Sequence, residues 1–195
     1  MKPFGGVEQL AWNPNNEEIA YTCRKKTGID YAISTNSDIY LYDIRTRTHK
    51  NITEENKGYD TNPSYSPDGS QIAWLSMERD GYESDENRLM VLDLETGVQT
   101  FLTKGLDTNV DAFYWQDDQT IIFNAVWHGT EQLYELTWNG FQPTWRTITE
   151  GQYDHEPIDS DAEGFYFLRH SMREANEIYY SKNGEVTQLT YENEN

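Results

Sequence analysis

An isoleucine or leucine followed by threonine recurs four times along this chain at a nearly fixed interval. The four copies are Ile52-Thr53, Leu102-Thr103, Ile148-Thr149 and Leu189-Thr190, and they are 50, 46 and 41 residues apart. An interval of roughly 45 residues is that of a four-stranded β-propeller blade. A repeat of this length decides the architecture before any single motif does, so the sequence predicts a series of similar small sheets.

The second repeat shows the strands of such a sheet most clearly. We predict strands over residues 62–65, 71–75, 88–93 and 98–103, of which the last three are rich in apolar side chains and the first precedes a turn. The turn Ser66-Pro67-Asp68-Gly69 separates the first two strands, since proline presets φ and glycine accepts a positive φ. This pattern predicts one blade of four antiparallel strands.

Similar patterns cover the rest of the chain. We expect an all-β propeller segment over residues 1–195, with four blades at about 5–53, 54–103, 104–149 and 150–190. The fourth repeat is the most divergent, and two alignments of it with the second repeat differ by one residue. Long connections at residues 24–37 and 77–87 are predicted to project from one face of the propeller, either to carry function or as tolerated surface insertions.

The charge of the chain excludes several classes of partner. Thirty-four acidic and fifteen basic residues give a formal net charge of −19, which repels the phosphates of nucleic acids and anionic lipids. No apolar stretch reaches the roughly 18 residues of a transmembrane helix, so membrane insertion is not expected. Cys23 is the only cysteine, which excludes a disulfide bond within the chain.

Catalytic and metal-binding motifs are absent from the sequence. A hydrolase nucleophile elbow requires Gly-x-Ser-x-Gly, and no such pattern occurs. The four histidines, His49, His128, His155 and His170, are not spaced as metal ligands, and the lone cysteine forms no Cys-x-x-Cys pair. We therefore predict no catalytic residue, no metal and no cofactor in this chain.

Basic side chains recur at comparable points after the second strand of each blade. They are Arg24, Arg79, His128 and Arg169. One interpretation is that they surround one mouth of a central channel, where they meet a substrate carboxylate or an acidic surface of another domain. The other is that each pairs with a nearby aspartate or glutamate. We take these four residues as substrate-channel candidates.

The segment at residues 62–74, Asn-Pro-Ser-Tyr-Ser-Pro-Asp-Gly-Ser-Gln-Ile-Ala-Trp, resembles the repeat of two propeller groups. These are the TolB-type propellers and the propeller domains of prolyl-oligopeptidase-family serine peptidases. With the long charged loops, the chain is most similar to the bacterial dipeptidyl aminopeptidase and acylaminoacyl-peptidase branch.

This resemblance implies a propeller of seven or eight blades that covers a C-terminal α/β-hydrolase domain. The propeller then gates and selects peptide substrates, and the chain is a non-catalytic fragment of a serine peptidase that is periplasmic or otherwise exported. Its expected partners are the missing hydrolase domain, the remaining blades and the peptide substrates. The alternative is a TolB-like periplasmic module that binds other proteins. Two fragments could also form a homodimer in which the first blade of each meets the fourth blade of the other.

Overall fold

The structure, a computed structural model, describes residues 9–161 and 163–193. This part of the chain forms sixteen β-strands and one short helix. The strands divide into four antiparallel sheets of four, each with its strands in chain order. The chain divides into two compact units, unit 1 up to Lys104 and unit 2 from Gly105, with two sheets in each. Within the described residues, no helix is long and apolar enough to cross a bilayer.

Unit 1 contains the first two sheets, which we call blades 1 and 2. Blade 1 is built from β1 (Leu10–Trp12), β2 (Glu18–Cys23), β3 (Asp38–Asp43) and β4 (Thr48–Asn51). Helix α1 (Ile29–Ile33) lies in the loop between β2 and β3. Blade 2 is built from β5 (Asp60–Tyr65), β6 (Gln71–Ser76), β7 (Arg88–Asp93) and β8 (Gln99–Phe101).

Unit 2 contains blades 3 and 4. Blade 3 is built from β9 (Val110–Trp115), β10 (Thr120–Trp127), β11 (Thr130–Thr137) and β12 (Thr144–Thr147). Blade 4 is built from β13 (Asp154–Ser160), β14 (Phe165–His170), β15 (Glu177–Lys182) and β16 (Glu185–Gln188). The prediction of an all-β chain with four blades of four antiparallel strands is confirmed. The number of blades in a complete ring stays a prediction, as do the repeat boundaries, and the predicted start near residue 5 lies outside the described residues.

The core of each unit is formed where the two blades meet, and both units use the same arrangement. In unit 1 the aliphatic face of blade 1 packs against the aromatic face of blade 2, in a cluster that includes Ala20, Ile39, Leu41, Ile52, Tyr65, Ile72, Trp74 and Leu92. In unit 2 the aliphatic face of blade 3 packs against the aromatic face of blade 4, in a cluster of Ile122, Leu133, Phe165, Phe167 and Tyr179. Large rings on one blade thus fill the surface left by aliphatic side chains on the blade before it.

The recurrent Ile/Leu-Thr dipeptide has one structural role in all four blades, which we call the threonine clip. In blade 2 the Thr103 hydroxyl accepts a hydrogen bond from the Leu89 amide at 3.2 Å, and the Leu102 amide donates to the Leu89 carbonyl at 2.9 Å. The hydroxyls of Thr53, Thr149 and Thr190 accept from Ile39, Leu133 and Ile178 in the same way, at 3.0, 2.8 and 2.8 Å. In each blade the dipeptide directly follows the fourth strand. Its hydrogen bonds satisfy the backbone of a third-strand residue that the fourth strand itself does not reach, which explains why this dipeptide closes every repeat.

A buried carboxylate lies at the start of blade 2. Asp60 is fully buried and accepts hydrogen bonds from the Trp74 indole at 2.8 Å and the Asn56 amide at 2.9 Å. Burial raises the pKa of Asp60 to about 6, although hydrogen bonds from Asn56, Ser76 and Trp74 act in the opposite direction. The free energy of unfolding of unit 1 therefore depends on pH through the protonation of Asp60.

Candidate functional site

The four predicted channel residues all lie at or near the end of the second strand of a blade. Arg24 directly follows β2, and Arg79 lies in the loop after β6, both in unit 1. His128 directly follows β10, and Arg169 is the second-last residue of β14; both lie in unit 2. The structure gives these residues different surroundings, and their role at a channel mouth stays a prediction.

Arg24 holds the long loop of blade 1 in place. Its side chain is buried, its Nη2 donates to the carbonyl oxygen of Tyr31 at 2.9 Å and also to that of Ser34, and its guanidinium lies over the Tyr31 ring. These contacts satisfy carbonyl groups at and beyond the C-terminal end of α1. Arg24 thus fixes the conformation of the loop that carries α1.

Arg79 is paired within its own loop. Its Nη2 lies 2.8 Å from Asp85, and its guanidinium stacks 3.9 Å from the centroid of the Tyr82 ring. Hydrogen bonds from the Arg79 side chain are the largest cause that lowers the pKa of Asp85, to about 2. For this residue, the structure matches the second interpretation, a basic side chain that pairs with a nearby aspartate.

The two long loops of unit 1 are joined by a single carboxylate. Asp80 accepts hydrogen bonds from the Ser34 hydroxyl at 2.9 Å, the Thr35 amide at 2.8 Å and the Asn36 amide at 3.3 Å. The Gly81 amide donates to the Thr35 hydroxyl at 2.8 Å. The predicted insertions at residues 24–37 and 77–87 therefore form one connected surface rather than two independent loops.

His128 lies at the tip of the β10–β11 hairpin. His128 and Gly129 have φ values of 53° and 85°, as a two-residue hairpin turn requires. The imidazole stacks on the indole of Trp127 with the ring centroids 4.3 Å apart, and Trp127 is 55% exposed. The tip of this hairpin therefore presents a flat aromatic pair to its surroundings.

Arg169 is held between two aromatic rings. Its guanidinium carbon lies 4.3 Å from the centroid of the Tyr153 ring and 4.0 Å from that of the Tyr179 ring, and Nη2 donates to the Tyr179 hydroxyl at 2.6 Å. In the described ranges, Arg169 forms no ion pair with a carboxylate. The stacked rings fix the guanidinium in one orientation and supply part of the stabilisation that a counter-charge would provide.

A cleft of about 720 Å³ in unit 2 brings several polar side chains together. Its lining includes His128 and Tyr153 from the surroundings just described, and also Asp154, Arg173 and Glu174. Asp154 accepts a hydrogen bond from the Glu131 amide at 2.8 Å, and its other oxygen lies 3.9 Å from Nδ1 of His170. The cleft therefore presents acidic and basic groups side by side.

More carboxylates lie near Asp154. Burial is the largest cause that raises the pKa of Glu131, and the charges of Asp111, Asp154 and Glu156 raise it further. These carboxylates lie close enough to Glu131 for their charges to disfavour its ionised form. Arg173 lines the same cleft as Asp154 and supplies a charge of the opposite sign. Within the described residues, no group of three or more histidine, cysteine, aspartate or glutamate side chains is placed to hold a metal ion.

Sequence reasoning did not find most of this cleft. Of the residues that line it, the sequence pattern singled out His128 and did not indicate Tyr153, Asp154, Arg173 or Glu174. The signal available in the sequence was the position of residues 171–176 after the second strand of blade 4, where the other blades carry basic side chains or long loops.

Four antiparallel sheets with their strands in chain order, packed within each unit with an aromatic face on an aliphatic face, define a β-propeller protein. The chain belongs to the TolB beta propeller domain family, whose model matches residues 9–195.

Two curated relatives are similar over the whole chain. Dipeptidyl-peptidase 5 from Porphyromonas gingivalis is 45% identical over 197 residues, which is 99% of this chain and 28% of the relative. Dipeptidyl-peptidase 5 from Porphyromonas endodontalis is 46% identical over 197 residues, which is 100% of this chain and 28% of the relative. The chain thus spans 28% of the length of each of these relatives.

A solved structure of TolB from Acinetobacter baumannii has the same fold. It superposes with a TM-score of 0.67 and covers 93% of this chain and 43% of that protein, at 22% sequence identity. At this level of sequence identity, the similarity shows a common fold and says nothing about function.

Proposed function

We propose that this chain is part of the propeller domain of a dipeptidyl peptidase, where it gates access and selects peptide substrates for a separate α/β-hydrolase domain. The observation that carries the proposal is the 45–46% identity to two dipeptidyl-peptidase 5 proteins over the full chain. We further propose that the catalytic residues of such an enzyme lie in other parts of a longer protein, a proposal supported by the absence of a Gly-x-Ser-x-Gly pattern from this sequence.

The cleft of unit 2 gives this function a physical basis. Asp154 and Glu174 offer carboxylates to a peptide ammonium, while Arg173 and His128 offer donors to a carbonyl or carboxylate group. Tyr153, which lines the cleft and stacks on Arg169, supplies an apolar surface beside these groups. We propose that this cleft contacts the peptide and that Arg169 positions Tyr153.

The joined loops of unit 1 have a supporting role in this proposal. Asp80 connects the loop that carries α1 to the loop that carries Arg79, and Arg24 and Arg79 are engaged within those loops. A connected surface of this kind restricts which substrates pass more effectively than two independent loops. We therefore assign Arg24 and Arg79 to loop structure and not to direct peptide contact.

A chimeric enzyme tests the proposal. The segment of Porphyromonas gingivalis dipeptidyl-peptidase 5 that matches this chain is replaced by the chain, and kcat and KM are measured with dipeptidyl chromogenic substrates and with longer peptides. We expect hydrolysis by the chimera, and a higher KM at nearly unchanged kcat in its Asp154→Asn and Arg173→Gln variants. Glu185→Gln, on exposed β16, is the matched control and is expected to leave both constants unchanged.

Two results would contradict the proposal. One is a chimera that folds, by circular dichroism and thermal melting, but cleaves no dipeptidyl substrate. The other is a set of cleft variants with the same KM as the control for every peptide. The TolB-like alternative, a module that binds other proteins, rests on a likeness of fold and has no separate observation in its favour.

A further inference from the structure

The outer strand of blade 1 and the turn before it carry a basic segment in an otherwise acidic chain. Residues 45–50 read Arg-Thr-Arg-Thr-His-Lys, and no aspartate or glutamate occurs between Asp43 and Glu54. All residues of this segment are exposed. Because the whole chain has a formal net charge of −19, the segment is a local surface of opposite sign. We call residues 45–50 the basic edge.

The basic side chains are not neutralised by the chain itself. Within the part of the chain that the structure describes, Arg45, Arg47 and Lys50 form no salt bridge. Asp43, the nearest acidic residue in the sequence, accepts a hydrogen bond from the Thr46 amide at 2.6 Å, and this bond is the largest cause that lowers the pKa of Asp43. The carboxylate thus stabilises the turn, and the three basic side chains are available to an external partner.

The outer strands of the other blades do not have this chemistry. β8 and β16 contain no lysine or arginine. Arg146, the basic residue of β12, pairs with Glu135 at 2.9 Å. The four sheets have the same strand order, so the architecture of a blade does not require a basic outer strand. The basic edge is therefore a particular property of blade 1.

The basic edge also has backbone groups without a strand partner. Among the described strands, β4 is the last of its sheet and pairs only with β3. Alternate residues of an antiparallel strand bond to the neighbouring strand, so the other residues of β4 direct their N–H and C=O groups away from β3. The Arg47 amide donates to the Asp43 carbonyl at 2.9 Å, which fixes the turn that leads into β4. The edge is therefore ordered in the absence of a partner.

We propose that the basic edge binds an extended acidic peptide segment of another protein, which adds to blade 1 as a fifth strand beside β4. Its aspartate and glutamate side chains pair with Arg45, Arg47 and Lys50. Its backbone bonds to the open side of β4, so main-chain hydrogen bonds supply affinity and the charged side chains supply selectivity. This interaction goes beyond the proposed function, because it involves neither the cleft of unit 2 nor hydrolysis.

Charge disfavours the other occupants of this edge. Two copies of the basic edge repel each other, and lysine on an edge strand is a common means of preventing identical strands from pairing. Nucleic acids and anionic lipid surfaces extend over a larger area, where the net charge of −19 opposes their approach. A short acidic strand contacts only the basic edge and meets neither form of repulsion.

The binding of fluorescent peptides to the full chain, measured by fluorescence anisotropy, tests the proposal. One peptide alternates glutamate with valine, and the other has glutamine in place of every glutamate. We expect the glutamate peptide to bind about tenfold more tightly, because several exposed ion pairs each contribute modestly. Methylation of the backbone nitrogens on one edge of the glutamate peptide removes its main-chain donors and is expected to weaken its binding about tenfold.

A pair of double variants locates the binding surface. Arg45→Gln combined with Lys50→Gln is expected to raise Kd for the glutamate peptide about fivefold. Lys57→Gln combined with Lys104→Gln is the matched control, since it removes the same charge from exposed positions outside β4. The control is expected to bind within about twofold of wild type. Circular dichroism and thermal melting establish that both variants are folded.

Four results would overturn the proposal. The first two are equal affinities for the glutamate and glutamine peptides and the absence of binding by either at about 1 mM. The third is equal affinity of the two double variants for the glutamate peptide. The fourth is an unchanged affinity of the N-methylated peptide, which would exclude strand addition.

Sedimentation of the chain tests the choice of partner. We expect a monomer, because like charges separate two basic edges. A dimer that is lost when Arg45 and Lys50 are replaced would show that an acidic surface of a second copy binds the edge, and would overturn the choice of another protein. None of these measurements involves hydrolysis, so their failure leaves the proposed function and its chimeric enzyme test unaffected.

Discussion

Replacing Thr103 with valine tests whether the threonine clip contributes to stability. Thr103 is 1% exposed, and its hydroxyl accepts the amide hydrogen of Leu89, a residue that is itself fully buried. Valine is close to threonine in shape but cannot accept this hydrogen bond. The substitution therefore leaves a buried amide without its partner while it disturbs the packing little.

The expected cost follows from the burial of that amide. A buried donor left without an acceptor costs about 1–3 kcal/mol, which is more than the net value of an average hydrogen bond. With a urea dependence of about 2 kcal/mol per M, a loss of 2 kcal/mol lowers the unfolding midpoint by about 1 M. Thr103→Ser retains the hydroxyl and is expected to keep the Leu89 amide protected.

The assay combines urea unfolding with amide hydrogen exchange over residues 87–103. Thr187→Val, on the exposed strand β16, is the control and is expected to shift the midpoint by less than about 0.3 M. The reasoning is refuted if Thr103→Val unfolds at the wild-type midpoint with wild-type protection of Leu89. The recurrence of the dipeptide would then need another explanation.

Three further outcomes are expected. Because burial raises the pKa of Asp60 to about 6, above the roughly 3.9 of an unfolded chain, its folded state binds the proton more tightly. The contribution of Asp60 to the free energy of unfolding therefore falls as pH rises from about 4 to 6, and Asp60→Asn removes this pH dependence. The measurement is urea unfolding of wild type and variant across this range. A difference in stability between the two proteins that does not change with pH would contradict this prediction. Asp80→Ala is expected to speed hydrogen exchange in residues 34–36 while the thermal midpoint stays close to wild type, and unchanged exchange there would show that Asp80 does not join the loops. The chain alone is expected to hydrolyse no dipeptidyl chromogenic substrate, and activity that survives repurification and is blocked by a serine-directed inhibitor would disprove this.

The sequence predicted those features that depend on local patterns. The strand at residues 88–93 was predicted with the bounds that β7 has in the structure. The pair Asn183-Gly184 is typical of a two-residue hairpin turn, and its φ values of 53° and 81° are those that these two residue types tolerate best. Alternating side chains and turn residues act over a few positions, so a single sequence is sufficient to recognise them.

Two elements do not follow a simple apolar pattern and are harder to recognise in the sequence: the long strand β10 and the short helix α1. In the second strand of blade 3 the continuous apolar pattern covers residues 120–123, whereas β10 extends to Trp127. Its extra residues include Asn124 and the exposed Trp127, which do not follow the apolar pattern. Helix α1 has five residues and buries none of them, so it has no apolar periodicity to recognise.

The alignment of the fourth repeat is explained by its pairing. Tyr65 pairs with Ile72 across the first turn of blade 2, whereas Ser160 pairs with Phe165 in blade 4, so that turn is two residues shorter. β13 is one residue longer than β5 because it begins one residue earlier, and both strands contain one register shift. The alignment on the apolar residues therefore holds after the turn, whereas before the turn the pairing places His155, and not Asp154, at the position of Asp60.

The site depended on contacts that the sequence does not reveal. The partners of Arg169 are the ring of Tyr179 on β15 and that of Tyr153 just before β13, and those of Arg24 are backbone carbonyls around α1. The sequence shows basic side chains after the second strand of each blade. Only the tertiary structure decides whether each one binds a ligand, stacks on a ring or holds a loop. The same limit applies to Asp154, whose neighbours, the Glu131 amide and the His170 ring, come from β11 and β14.

The threonine clip also bears on the order in which the protein folds. In the four blades, the clip joins residues separated by only 14, 14, 16 and 12 positions. Contacts at such short separations lose little chain entropy on forming and are made early. A ribosome releases the chain from its N-terminus, so the strands of each sheet can be secured before the aromatic face that covers the sheet has been synthesised. Within each unit, the second blade then packs on a first blade that is already closed.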